Sequence, residues 1–147
     1  MSESNHTFLL HQAIWDAEGK YFNPAGDEIK LAGVIKISHT VAQWHCDELL
    51  KIPAKGVDFF HSAEMMPIKN GSCCTSWEGF NKQFGLITGR YVIVSDVMIS
   101  SFKSGTGLFN GVEYARFIDK FTYELKGYLF EKECLKYSWV LQLNRKL

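Results

Sequence analysis

The sequence predicts an all-β protein, a single-domain antiparallel up-and-down barrel of about ten strands. Three observations carry this reading. From Leu86 to Leu143, short segments rich in Val, Ile, Tyr, Phe and Trp follow one another almost without interruption, and such residues fit a pleated, half-buried surface. The breaks between them, Ser95-Asp96, Ser104-Gly105-Thr106-Gly107, Asp119-Lys120 and Glu131-Lys132-Glu133, are short and polar, as hairpin turns require. Finally, Ile29 to His39 alternates with a period of two: Ile29, Leu31, Gly33, Ile35 and Ile37 share one face and Glu28, Lys30, Lys36 and Ser38 the other.

The elements follow in order. Met1 to His6 is expected to be disordered. The first strand is expected from Phe8 to Trp15, running on towards Phe22, before Asn23-Pro24-Ala25-Gly26-Asp27, where Pro fixes one dihedral and Gly is free to take positive φ. Ile29–His39 is the second. Trp44–Ile52 is read as a strand with Trp44, Cys46, Glu48, Leu50 and Ile52 on one face, although two turns of helix compete. Val57–Met66 and Cys73–Phe80 flank an Asn70-Gly71 pair that signals a hairpin. The remaining five strands are Leu86–Val94, Val97–Lys103, Leu108–Ile118, Phe121–Phe130 and Leu135–Leu143. Less than about 15% helix is expected, and connections this short favour closure as a meander over Greek keys, with room for a ligand cavity beyond eight strands.

With 147 residues, 46% of them hydrophobic, the chain forms one domain and buries one core. Sixteen basic residues balance sixteen acidic ones, so the positive field that draws nucleic acid is missing. No apolar run approaches the ~18 residues of a membrane helix and the first residues lack a leader pattern, so membrane insertion is not expected and a cytoplasmic location is. Of the four cysteines, Cys73 and Cys74 are neighbours whose side chains would diverge on a strand, which favours free thiols over a disulfide framework.

At the level of architecture the pattern resembles the calycin group, the lipocalins and fatty-acid-binding-like barrels. Lipocalins carry Gly-x-Trp near the first strand and a late Arg over that Trp. Here Trp15-Asp16-Ala17-Glu18-Gly19 has the two residues in the opposite order, and an antiparallel first and last strand would set Arg145 near Phe8. The resemblance is therefore one of shape, and implies a cavity for a small apolar or amphipathic ligand without transferring any site residue.

Candidate chemistry is sparse. No C-x-x-C, H-x-x-x-H or H-E-x-x-H occurs, so no metal is expected. His39 or His61 could each give a haem one axial ligand, but a lone His is more often a wall residue, and no cofactor is expected. Glu113 and Arg116, three apart on one strand, must point to opposite faces, so one of them enters the lumen. Asp119-Lys120 as a two-residue loop would pair Arg116 with Tyr123 and Tyr114 with Leu125, on the apolar face. The preceding hairpin conflicts with this unless a bulge lies at Gly105 or Gly107.

With that bulge, the expected ligand-binding residues are Arg116, Tyr123, Tyr114, Tyr137 and Trp139, and Arg116 would answer an anionic head group. The alternatives are a barrel enzyme using Glu64 or Glu113 as a general acid or base, and an interaction module with a filled core. The hairpin at Ser95-Asp96 is apolar on both faces, Val92, Val94, Val97 and Ile99 against Tyr91, Ile93 and Met98. A homodimer through the outer of these faces is expected.

Overall fold

The computed structural model describes residues 5–69 and 71–147. Ten antiparallel strands close into a barrel in sequence order: β1 (Ala13–Phe22), β2 (Glu28–His39), β3 (Trp44–Ile52), β4 (Val57–Met65), β5 (Cys74–Asn81), β6 (Gly85–Val94), β7 (Val97–Ser104), β8 (Phe109–Asp119), β9 (Thr122–Glu131) and β10 (Cys134–Arg145), with β10 pairing back onto β1. Trp44–Ile52 is a strand, and the helix between elements of the described residues is one 3-10 turn at Pro53–Lys55. Every strand has two partners, so the unpaired edges that an open sheet would leave are absent.

The register decides which side chains enter. The Ser95-Asp96 turn pairs Val94 with Val97, Val92 with Ile99 and Ile93 with Met98, as expected, with Ser95 at φ 54°. Ile93, Met98 and Ser100 are buried, and Val92 and Val94 stand exposed on the outside. β7 and β8 pair without a break from Val97↔Arg116 to Lys103↔Asn110, so there is no bulge at the glycines. The irregularity lies one hairpin later, where Phe117 pairs with Tyr123 and Asp119 with Thr122, leaving Ile118 as the extra residue. One extra residue reverses the facing of all that precede it.

The first strand begins at Ala13, not Phe8, because residues 6–9 serve another purpose. They fold across one end of the barrel as a plug: His6, Thr7, Phe8 and Leu9 are all buried, and Leu9 takes a left-handed φ of 68°. Of the six residues expected to be disordered, the first four lie outside the described residues, while the buried His6 is held at both ring nitrogens. Its Nε2–H donates to the Ser95 carbonyl at 2.9 Å, which leaves Nδ1 to accept the Tyr123 hydroxyl proton at 2.7 Å. Tyr123 Oη accepts the Thr7 N–H at 3.1 Å. Phe8, Trp15, Phe117 and Tyr123 pack around this point at centroid separations of 5.5–5.6 Å, mostly edge to face, each large buried side chain contributing roughly 1.5–3 kcal/mol. The later start of β1 also sets Trp15 opposite Arg145, where a strand beginning at Phe8 would have placed Arg145 further back.

Candidate functional site

With one end plugged, the lumen is open in the other half. A cavity of about 210 Å³ extends there, reaching Gln83 and Phe84 in the β5–β6 loop and Tyr21, Ile52, Phe59 and Tyr137 at the strand ends. That is larger than the roughly 150 Å³ cavity that accommodates benzene, so one or two rings fit. Its walls are mainly Trp77, Tyr91, Phe102, Trp139 and aliphatic side chains, and it holds two carboxyls, Glu48 and Glu113.

Two tryptophans build the polar part of this cavity by the same device. Trp139 on β10 pairs with Gly127 on β9, and Gly127 pairs with Glu113 on β8. Because Gly127 has no side chain, the indole lies across it, and a Cβ there would collide with the ring. Trp139 Nε1–H thereby reaches Glu113 Oε2 at 2.9 Å. On the other side, Trp77 on β5 pairs with Gly89 on β6 and lies across it. Its Nε1–H donates to Ser100 Oγ on β7 at 3.1 Å. Ser100 and Glu113 are themselves cross-strand partners, so both indoles converge on one polar pair.

Glu48 approaches from the opposite wall. The alternation of β3 carries it inward with Cys46 and Leu50, and it makes no hydrogen bond among the described residues. Protein encloses both carboxyls, and the accessible surface that they keep faces the cavity. Burial first, and then the charge of Glu113, raises Glu48 to about 8. Burial raises Glu113 to about 7, partly offset by the Trp139 N–H. The pair titrates as one unit and keeps a proton near neutrality.

The groups around the pair are held neutral. Burial lowers His61 to about 4 against the opposing effect of Asp47. Burial also pushes the Cys46 thiol and the Tyr91 hydroxyl well above their ordinary values. No Lys or Arg lines the cavity among the described residues.

The residues expected from sequence divide. Tyr137 and Trp139 line the cavity. Tyr123 points inward and is fully buried, but at the plugged end, where its hydroxyl is engaged by His6 and Thr7. Arg116 and Tyr114 do not enter the lumen. Ile118, as the extra residue, pairs Arg116 with Glu124 and Tyr114 with Lys126 on the outer face. The Arg116 guanidinium lies 3.4 Å from Glu124 with its side chain 47% exposed, and Tyr114 is 40% exposed.

Glu64 is also outside, 3.9 Å from His45 and 55% exposed. His39 donates through Nε2 to the Leu9 carbonyl at 2.7 Å, against the plug. All four cysteines are free, and no group of three metal-ligating side chains occurs among the described residues. Sequence reasoning missed Glu48, although the signal was there: it is the one carboxylate in the face formed by Trp44, Cys46, Leu50 and Ile52.

No protein-family model matches the chain, and no curated protein does. Solved structures do. The S-type phycobiliprotein lyase CpeS from Guillardia theta is similar with a TM-score of 0.71 over 95% of this chain and 91% of that one, at 8% identity. Rv2717c from M. tuberculosis is similar with a TM-score of 0.70 over 95% and 94%, at 13% identity. At such identities the likeness is one of fold, a calycin-like barrel, and no residue role passes with it.

Proposed function

We propose that this protein binds a small, largely aromatic or amphipathic molecule in the open half of its barrel. The observation that carries this reading is the pairing of an aromatic-walled cavity of about 210 Å³ with a plug of residues 6–9 at the far end only. A protein that needed only a filled core would have no use for leaving one half hollow, since unfilled volume in a core is destabilising. A ligand of one or two rings would lie against Trp139, Tyr91 and Phe102, entering past Phe84.

The test combines native mass spectrometry of the purified protein with titration by a neutral probe, 2-naphthalenemethanol, followed by tryptophan fluorescence. Saturable one-to-one binding is expected, and Ala63→Leu, which fills space at the cavity wall, should weaken it at least fivefold. Absence of saturable binding, or binding unaffected by Ala63→Leu, would reject the lumen as the site.

A second reading is supported by Glu113, whose carboxyl is enclosed, faces the cavity and is raised to about 7. Such a group suits general acid–base catalysis near neutral pH, and one neighbour in fold is named a lyase. Exchange of the α-protons of 2-tetralone into deuterated water, abolished in Glu113→Gln, would favour catalysis over carriage.

A further inference from the structure

We propose that the lumen selects a ligand bearing an ammonium group, seated between Glu48 and Glu113. This rests on the lumen being a ligand site and names the chemistry that the site recognises.

The cavity offers an unusual imbalance of donors and acceptors. Glu48 is an enclosed, unpartnered carboxyl aimed into it, and Glu113 has one oxygen held by Trp139 and the other free of any hydrogen bond among the described residues. Ionised carboxylates are acceptors only, and burying them unanswered is costly. The usual answer, a Lys or Arg, is missing from the described lining residues. Without a ligand, a proton held by the pair takes that place.

A primary ammonium fits this arrangement by donor count and by charge. It has three N–H donors, which match Glu48, the free oxygen of Glu113 and Ser100 Oγ on the adjoining strand, the cross-strand partner of Glu113. The aromatic walls add favourable surface, since a cation near an indole or phenol ring is attracted to its face. A carboxylate ligand would meet two acids and no cation. A neutral alcohol would find hydrogen bonds but no charge to neutralise.

Binding an ammonium therefore competes with binding a proton. The titratable groups that share the cavity with the pair are Cys46 on β3, His61 on β4 and Tyr91 on β6, and Tyr21 on β1 and Tyr137 on β10 at the strand ends, with Asp47 acting through the wall of β3. Cys46, His61 and Tyr91 stay neutral between about pH 6 and 8 and burial moves Tyr21 further above that window, so the carboxyl pair sets the pH dependence there. Affinity for an amine should rise from pH 6 to 8, a window over which a primary arylmethylamine, with a pKa of roughly 9 against roughly 10.4 for a lysine amine, stays charged.

The experiment uses the full chain and three isosteres, 2-naphthylmethylamine, 2-naphthalenemethanol and 2-naphthoate, at pH 6, 7 and 8. At pH 8 the amine should bind at least tenfold tighter than the alcohol, and the acid at least tenfold weaker. The amine's affinity should fall at least fivefold at pH 6 while the alcohol's stays constant. Glu48→Gln and Glu113→Gln should each remove most of the amine's advantage over the alcohol, both ligands being measured on the same variant, and flatten the amine's pH dependence; if either variant does not fold, the wild-type pH series decides between the same outcomes. Equal affinities for the three, or a preference for the acid, would overturn the proposal while leaving the lumen as a site. Failure of all three to bind would overturn both.

Discussion

Ser100 and Glu113 stand opposite each other on β7 and β8, and each accepts an indole N–H from a tryptophan that lies across a glycine of the intervening strand. The glycines are thus part of the site although they have no side chain of their own to offer it. Gly127→Ala should be destabilising by about 1–3 kcal/mol, since overpacking at a tight contact must be relieved by moving the ring or the strand. The shift would carry Trp139 away from Glu113 and change the near-ultraviolet circular dichroism. Gly105→Ala is the control, because a Cβ there meets only the Leu86 backbone oxygen at 3.7 Å and the Leu86 Cβ at 3.9 Å. Equal effects of the two substitutions would remove the glycine from the description of the site.

The carboxyl pair makes stability depend on pH with a definite sign. Both groups have folded-state values raised above the unfolded one, to about 8 for Glu48 and about 7 for Glu113. Their favourable contribution is fully present below about pH 4.5 and is lost as the pH rises through 7 to 8. His61 acts in the other direction: lowered to about 4, its contribution is present above about 6.5 and is lost as the pH falls through 4. Between about pH 4.5 and 6.5 the two carboxyls outweigh the one imidazole, so these three groups together should make the ligand-free protein melt highest near about pH 4.5 and fall steadily towards pH 8. At pH 8, Glu113→Gln, whose amide oxygen can still accept from Trp139, should stabilise by an amount on the order of a few kcal/mol, with little effect at pH 5. Melting curves for wild type and variant that stay parallel from pH 5 to 8 would contradict this.

Tyr123 anchors the plug. Its hydroxyl donates to His6 and accepts from Thr7, so Tyr123→Phe leaves two buried groups unpaired and should cost about 1–3 kcal/mol. Local opening of the plug should follow, seen as faster amide exchange at Thr7 and Phe8 while β4 and β5 are unchanged. A loss spread evenly over all ten strands would mean that the plug is not a separate unit.

The barrel was legible in the sequence because period-two alternation and short polar turns are local signals, and ten such strands have few ways to close. The site was less so. Glu113 and Arg116 were correctly read as facing opposite ways, but which of them entered depended on one residue, Ile118, in a hairpin whose loop length does not declare a bulge. Nothing in the chain near Phe8 distinguishes a plug from the start of a strand either. That distinction is made by Ser95, 89 residues beyond His6, and Tyr123, 115 residues beyond Phe8.

We propose that the outer face of β6 and β7 joins two copies of the chain. Val92, Val94, Val97 and Ile99 lie together there, beside Tyr114 on β8, and the Arg116–Glu124 pair at the margin offers both signs of charge to a twofold-related copy. Sedimentation at tens of micromolar should give a dimer, and Val94→Glu should give a monomer with an unchanged melting temperature in dilute solution. A monomer in the wild type would dispose of the interface.

Arg116 itself should be dispensable for ligand binding. It was the residue that the sequence placed at the ligand, and in the structure it belongs to an exposed ion pair on the far side of the barrel wall from the cavity. Exposed pairs are typically worth less than about 1 kcal/mol, so Arg116→Gln should lower stability by no more than that, and by less in high salt. Its affinity for naphthyl probes should match wild type within twofold at every pH between 6 and 8, whereas Trp139→Phe, which removes the donor to Glu113 from the cavity wall, should change both affinity and its pH dependence. A loss of binding on Arg116→Gln that exceeds the loss on Trp139→Phe would mean that the ligand sits outside the barrel, against β8 and β9.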